Sequence, residues 1–389
     1  MSMWPAVKLG EVVTPVARAE SPMPGASYRQ IGVRLWGEGA YDRGAIDGSQ
    51  TKYAKLFRAE SGDIIVNKIW ARNGSVAVVP ATLAGCFGSS EFPMFAPKPN
   101  QLEPRWMHWL TKTPTFWSQC DEKSRGTSGQ NRIKPEQFLR VEIPLPPLAE
   151  QRRIVARIEE LAAQIQEARE LRKLASEEAE ALVGAHAHTI FGGTRASQSV
   201  PLDFIATLER GKFNHRPRNE PRFFDGVHPW IQIGEIEASD KYIRNWTQTL
   251  NDDGLAISKK FSRGTVLISI AATIGAVGIL DFDCCIPDSI VGVTPKQKTE
   301  SEFLYHYLSY LRSHLEEIAP QSAQKNINLG ILTKIPVPKL SPSEQRRIVV
   351  ELDALQAEVD TLKHLQAETA AELDALLPAV LDRAFKAEL

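Results

Sequence analysis

Apolar residues follow two regimes along this chain. Ile154, Ile158, Leu161, Ile165, Ala168, Ala175, Ala179 and Leu182 recur at steps of three and four, with Arg172 at the one interrupted place. The same steps return at Ile348, Leu352, Leu355, Val359, Leu362, Thr369, Leu373 and Leu376, with Gln366 interrupting. A seam kept in that register predicts two coiled-coil helices, each of roughly 40 residues and so ~60 Å long at 1.5 Å per residue. Neither is apolar enough to be buried alone, so the two are expected to pack on each other. Outside them the apolar runs are short and punctuated by glycine, as expected of strands.

The two helical stretches are copies. Glu150-Gln151-Arg152-Arg153-Ile154-Val155 recurs unchanged as Glu344-Gln345-Arg346-Arg347-Ile348-Val349, and Ile143-Pro144-Leu145-Pro146 is echoed by Ile335-Pro336-Val337-Pro338. Phe191 has its counterpart in Phe385. Ser341-Pro342-Ser343-Glu344 reads as a capping box, with Pro342 at the first helical position. The first copy has Pro147 in place of Ser341 and lacks that side-chain oxygen.

The larger segments are diverged copies too. Gly62-Asp63-Ile64-Ile65-Val66 answers to Gly264-Thr265-Val266-Leu267-Ile268. Each runs into a glycine turn, Asn73-Gly74-Ser75 or Ile274-Gly275-Ala276, and then a second apolar run, Val76–Val79 or Val277–Leu280. Amphipathic helices are expected over Trp106–Leu110 and Phe303–Leu311, each followed by a polar loop. The expected fold is α+β: two similar mixed α/β domains joined by two long helices that form an antiparallel coiled coil. The expected boundaries are 1–147, 148–192, 193–340 and 341–389.

Charge changes this picture, although the formal net charge is only −1. Residues 1–147 hold 18 basic against 13 acidic residues, net +5, and residues 193–340 hold 17 against 16, net +1. The helices hold 6 against 8 over 148–192 and 5 against 10 over 341–389, net −2 and −5. A nucleic acid responds to the local face it meets, so the near-zero total does not exclude one.

Several chemistries are missing from the sequence. It has no G-x-x-x-x-G-K-[ST] loop, no strand followed by G-x-G-x-x-G, no H-E-x-x-H and no Asn-Pro-Pro-aromatic or Asp-Pro-Pro-aromatic methyltransferase motif. Asp63 with Glu91, or Asp281 with Asp283 and Asp288, could be imagined as a nuclease cluster, but no matched Glu-x-Lys follows them. Cys86, Cys120, Cys284 and Cys285 form no C-x-x-C pair and read as buried reduced thiols. The first residues lack the charged and apolar regions of a signal peptide, and the 15-residue run Val266–Leu280 is too short to cross a membrane. The expectation is a cytoplasmic, non-catalytic chain.

Over essentially its whole length the chain resembles the DNA-specificity subunit of Type I restriction–modification systems. The resemblance rests on Ile143-Pro144-Leu145-Pro146-Pro147-Leu148 followed by Glu150-Gln151-Arg152-Arg153-Ile154-Val155, with a second copy before the C-terminal helix. Val200-Pro201-Leu202, Arg210-Gly211-Lys212, Pro229-Trp230-Ile231 and Arg263-Gly264-Thr265-Val266-Leu267 resemble a target-recognition domain of that family. Gln324-Lys325-Asn326-Ile327 fits its loop before the proline-rich junction, whereas the first copy departs from it with Gln130-Asn131-Arg132-Ile133. The resemblance implies that each domain reads one half of a bipartite, asymmetric double-stranded DNA target, with the coiled coil setting the gap. It also implies two modification subunits that bind S-adenosylmethionine and methylate adenine, and restriction subunits that use ATP and magnesium. No cofactor is then expected on this chain.

Reading bases in the major groove calls for Arg or Lys against guanine and Asn or Gln against adenine, carried on loops. In the first domain the candidates are Lys68, Arg72 and Asn73 on the glycine turn, with Arg125, Ser128, Gln130 and Asn131 on the later loop. In the second they are Lys212, Asn214, Arg216 and Arg218, Thr273 on the glycine turn, and Gln324, Lys325 and Asn326. Any one of these is equally readable as a solvated surface residue. Glu150-Gln151-Arg152-Arg153 and its copy have two open roles: stitching the helix start to its domain, the favoured one, or presenting a surface to a modification subunit. The rival to DNA recognition is a coiled-coil scaffold that binds only protein.

Overall fold

A computed structural model describes residues 4–124, 131–193, 198–217, 219–318 and 326–389. The chain divides into two compact units, Met1–Arg172 with Ala367–Leu389, and Lys173–Gln366. Each unit therefore contains one α+β domain, one portion of the central helix and one portion of the C-terminal helical segment.

Unit one begins and ends its domain on a short antiparallel ladder, Ala6–Lys8 against Glu142–Pro144. Its main sheet is ordered Val13–Val16, Met94–Pro97, Ile64–Val66, Val76–Val78. Unit two repeats the ladder with Ser199–Pro201 against Pro336–Pro338. Its main sheet runs Ala206–Arg210, Ile290–Pro295, Val266–Ser269, Val277–Leu280, and adds Tyr242–Ile243 at the edge.

The continuous apolar runs are explained by burial on both faces. Ile64 and Val66 point into a core with Trp106, Phe116 and Phe138, while Ile65 joins a second core with Ile31, Val33 and Met94. Val266 and Ile268 face Phe303 and Leu308, and Leu267 faces Ile231 and Ile286. Successive strand residues point to opposite faces, so a strand covered on both sides cannot alternate with polar residues. The second layer is another sheet in each unit. Phe87–Gly88 lies parallel to Ser27–Val33 in unit one, as Cys284–Cys285 lies parallel to Phe224–Trp230 in unit two.

The central helix is continuous over Leu148–Gly192. The C-terminal segment is not one helix but two, Pro342–Glu368 and Ala370–Phe385, divided at Thr369 with Pro378 inside the second. Within each unit the pairing is antiparallel, because numbers fall on one helix as they rise on the other. In unit one Arg153 donates to the Leu389 carbonyl, Arg169 meets Asp374 at 2.9 Å and Arg172 donates to Thr369. In unit two Ser176 meets Gln366, Glu180 meets Lys363 and His186 meets Glu351.

The seam differs from the even heptad that the sequence predicts. Ile154, Ile158, Ile348 and Leu352 are buried, but Leu182 and Leu376 are 55% and 47% exposed. Seam contacts toward the middle are polar, through Arg172, Ser176, Gln366 and Thr369. Apolar burial is densest where each helix meets its own domain and a third element covers the pair, while Ile165 and Val359 are buried within the seam itself, at 8% and 4% exposed.

The capping box at Ser341 is present, with Ser341 N–H donating to Glu344 Oε2 at 2.8 Å and Glu344 N–H to Ser341 Oγ at 3.3 Å. At the Pro147 end Glu150 instead takes two hydrogen bonds from Arg153 at 2.8 Å. Among the described residues no helix is long and apolar enough to cross a membrane.

Candidate nucleic-acid interface

The orientation of each domain on its helix is set by one glutamine. Gln151 and Gln345 are 0% and 4% exposed. Gln151 donates to the carbonyls of Gln101 and Pro146 and accepts from the Glu103 N–H at 2.9 Å. Gln345 donates to the carbonyls of Lys298 and Leu340 and accepts from the Glu300 N–H at 3.0 Å. Arg152 and Arg346 then ion-pair with Glu103 and Glu300, the acids on those same loops. A buried amide with its partners in place resists rearrangement, because any displacement strands several backbone groups at once. The Gln and first Arg of the repeated motif therefore stitch the helix to its domain. Phe385 against Trp106 and Phe191 against Phe303, Tyr307 and Tyr310 complete the junctions.

From these junctions each main sheet extends to a glycine turn. Gly74 and Gly275 have φ of +75° and +78°, and a Cβ at either would stand under 3.0 Å from Trp117 or Arg312. Glycine is required there for both backbone and space. The loop after the helices returns to the base of the turn by the same bond in both units: Ile133 N–H to the Lys68 carbonyl, and Ile327 N–H to the Ile270 carbonyl, each 2.9 Å. A third segment meets it there, through Lys68 N–H to the Glu91 carbonyl and Ile270 N–H to the Ser289 carbonyl.

In unit one this brings Lys68, Arg72, Asn73 and Asn131 onto connected backbone. Arg72 and Asn73 sit on the short helix Ala71–Asn73, with the Arg72 guanidinium 5.7 Å from the Trp70 ring and its Nε donating to Asn73 Oδ1. Lys68 and Arg132 share the Glu91 carboxylate at 3.5 and 3.2 Å. Arg132 was missed as a candidate although it adjoins Asn131. Trp36 was also missed. It donates its N–H to the Asn73 carbonyl with φ +56° and is 56% exposed, and no local sequence signal marks it.

In unit two Asn326 bridges Ala271, which places it beside Thr273. Arg216 donates to Asp288 at 3.0 Å, next to the Ser289 that adjoins the turn. Lys212 and Asn214 are exposed and anchored by their N–H groups to Ile286 and Ile257. Arg125, Ser128, Gln130, Arg218, Gln324 and Lys325 lie outside the described residues.

Where these cations pair with carboxylates, the pairs reach solvent: Lys68 and Arg132 with Glu91, and Arg216 with Asp288. Such pairs are worth about 0–1 kcal/mol, so exchanging carboxylate for phosphate costs little. The acids considered for a nuclease are all engaged: Asp63 by Arg18, Glu91 by Lys68 and Arg132, Asp281 by Arg244 and Arg263, Asp283 by Lys260, Asp288 by Arg216. The Arg263 N–H and the Lys260 ammonium hold the Asp283 carboxyl below its usual range. No group of three metal-ligating side chains occurs among the described residues. The four cysteines are buried and free, and burial pushes Cys120 up to about 12, so it stays a protonated thiol.

A family model for the Type I restriction modification DNA specificity domain matches residues 1–175 and again residues 201–370. The chain is 24% identical over 319 residues to a putative Type I restriction enzyme MjaX specificity subunit of Methanocaldococcus jannaschii, covering 77% of this chain and 72% of that one. It is 22% identical over 281 residues to the EcoBI specificity subunit of Escherichia coli, covering 64% of this chain and 58% of that one. Among solved structures, the HsdS subunit from Thermoanaerobacter tengcongensis superposes with a TM-score of 0.64 at 27% identity, over 99% of this chain and 97% of that one. A chain from a structural study of complex assembly and conformational transition in the Type I R-M system gives 0.74, also at 27% identity, over 99% and 98%.

Proposed function

Because this chain belongs to the family of Type I restriction–modification DNA specificity domains, we propose that its two units each read one half of a split, asymmetric DNA target. The observation that carries this reading is the twofold construction of the turn. In each unit a required glycine, the end of the polar loop and a third segment meet through equivalent backbone bonds, on a domain locked to its helix by a buried glutamine. Two readers with different side chains on one scaffold select a non-palindromic site, just as identical protomers select palindromes.

The paired helices set the gap between half-sites. Two modification subunits, which bind S-adenosylmethionine and methylate adenine, and restriction subunits, which use ATP and magnesium, act at the site that this chain selects in the cytoplasm. The chain contributes no catalytic group. A scaffold that binds only protein would leave both glycine-turn clusters without a task.

The test is domain exchange. Replacing residues 1–147 by a different recognition domain is expected to change one half of the methylated motif and leave the other intact. If both halves change together, the two-reader assignment is wrong.

A further inference from the structure

Unit two contains a cavity of about 380 Å³ that the candidate contacts do not explain. It is lined by Trp230, Phe224, Asn219, Gln232, Gln248 and Ser289, among others. Ser289 belongs to the segment that carries Asp288, the partner of Arg216, and its carbonyl accepts from Ile270 beside the glycine turn. The cavity thus opens among the groups assigned to DNA contact.

Its polar wall is braced. Gln232 Nε2 and Gln248 Oε1 are 2.8 Å apart. Glu235 accepts from the Gln232 N–H at 3.0 Å with one oxygen and from the Thr247 hydroxyl with the other, tying together the two segments that carry the glutamines. Whichever way the two amides are turned, their mutual bond uses one donor and one acceptor. An acceptor on one side chain and a donor on the other remain.

A donor beside an acceptor is what the Watson–Crick edge of a nucleobase presents. Paired in a duplex, that edge is occupied; turned out of the stack, it needs new partners and an aromatic wall. Gln232 and Gln248 are exposed, as amides that read bases in the groove are, but they line a recess together with half-buried Phe224, above Trp230, which is 3% exposed and packed on Phe213. We propose that this cavity receives a nucleobase turned out of the target duplex, held by the Gln232–Gln248 pair and stacked on Phe224, with Trp230 as the floor beneath. The inference rests on the assignment of unit two as a DNA reader and adds a mode of reading to it.

The test uses the full chain by itself, which keeps out base flipping by a modification partner. Duplexes are selected from a random library with the wild type and with the Gln232→Ala/Gln248→Ala double variant, whose altered side chains are both exposed. The variant is expected to lose about tenfold discrimination at one position of the half-site read by unit two and to keep the rest. 2-Aminopurine placed beside that position should brighten severalfold on binding the wild type and not on binding the variant, because its neighbour has left the stack. Lost discrimination with 2-aminopurine still quenched on the wild type would mean groove reading, and would overturn the cavity's role, as would unchanged discrimination. A wild type that selects no sequence at all would overturn the DNA-reading assignment itself, a different and separable failure.

Discussion

Units one and two share a junction almost atom for atom, yet surround it differently. Gln151 and Gln345 make matching hydrogen bonds, but Phe385 meets one aromatic ring at its junction and Phe191 meets three. About two turns further along the helix, Glu159 holds Arg105 at the exposed surface, while the matching Asp353 is gripped by Lys241 at 2.7 Å and by His306 at 2.7 Å. Lys241 adjoins the extra edge strand of the unit-two sheet, which has no counterpart among the described residues of unit one. The contrast teaches where each kind of constraint acts. Backbone groups at the junction can be satisfied in only one way, so the glutamine and its partners recur. Side chains farther out can fill the same space by several chemistries, and they differ.

The most disruptive changes are expected in the aromatic junctions. Phe191→Ala should cost about 4 kcal/mol and Phe385→Ala about 3 kcal/mol, since the unit-two ring loses more contacts and leaves a more enclosed void. Urea unfolding followed by tryptophan fluorescence measures both; equal costs would erase this part of the asymmetry. Next come Gln151→Ala and Gln345→Ala. Each strands one N–H and two carbonyls, and each should cost about 2–3 kcal/mol. Here the two values should agree, and a wide gap between them would show that the matching bonds are not matched in energy.

The acid positions should separate the units again. Asp353→Asn is expected to destabilise by about 1–2 kcal/mol and Glu159→Gln by under about 0.5 kcal/mol, because the two carboxylates are similarly exposed but Asp353 bonds two mostly buried partners, Lys241 and His306, whereas Arg105 is itself exposed. The pH dependence has a definite sign. Burial outweighs the Asp353 carboxylate and lowers the His306 pKa below its ordinary value, so the folded state favours the neutral ring. In unit one burial, with help from Lys112, takes His108 down to about 4. A group with a lowered folded pKa stabilises above its unfolded value, about 6.5 for histidine, and loses that contribution as the pH falls. For His108 the loss runs from about pH 6.5 to about 4. For His306 it begins at the same point. Asp353 works against burial, held below its usual range by Lys241 and His306, and gives up its share only at lower pH. Thermal melts of His108→Gln and His306→Gln from pH 7 to 4 should each be flatter than the wild type.

The smallest expected effect concerns binding. Neutralising Lys212 and Arg216 together should flatten the log–log salt dependence by roughly one unit per lost phosphate contact. An unaltered slope with unaltered affinity would place that stretch away from DNA, and would leave unit two reading through Thr273, Asn326 and the cavity alone.

Much of this was legible in the chain because repetition is a long-range signal written locally. Two copies of Glu-Gln-Arg-Arg heading two heptads announce two helices and two preceding domains without any knowledge of contacts. Strands such as Ile64–Val66 and Val266–Ser269 were equally plain, since burial on both faces leaves no polar alternation to confuse. The break at Thr369 and the polar middle of the seam were harder. Heptad spacing shows that side chains share a stripe, but not whether anything covers it.

What the sequence by itself determined is the duplicated architecture, the helix starts and the glycine turns, because capping, left-handed backbone and apolar periodicity depend on residues close together in the chain. Only the tertiary structure decided that the motif's glutamine reaches back some 50 residues to backbone groups at Gln101 and Glu103, and that Gln232 and Gln248 share one cavity wall. Hydrogen-bond partners far apart in sequence leave no periodicity behind them. Their meeting is settled by how the sheets stack and where the loops return, and a side chain's chemistry does not encode that geometry.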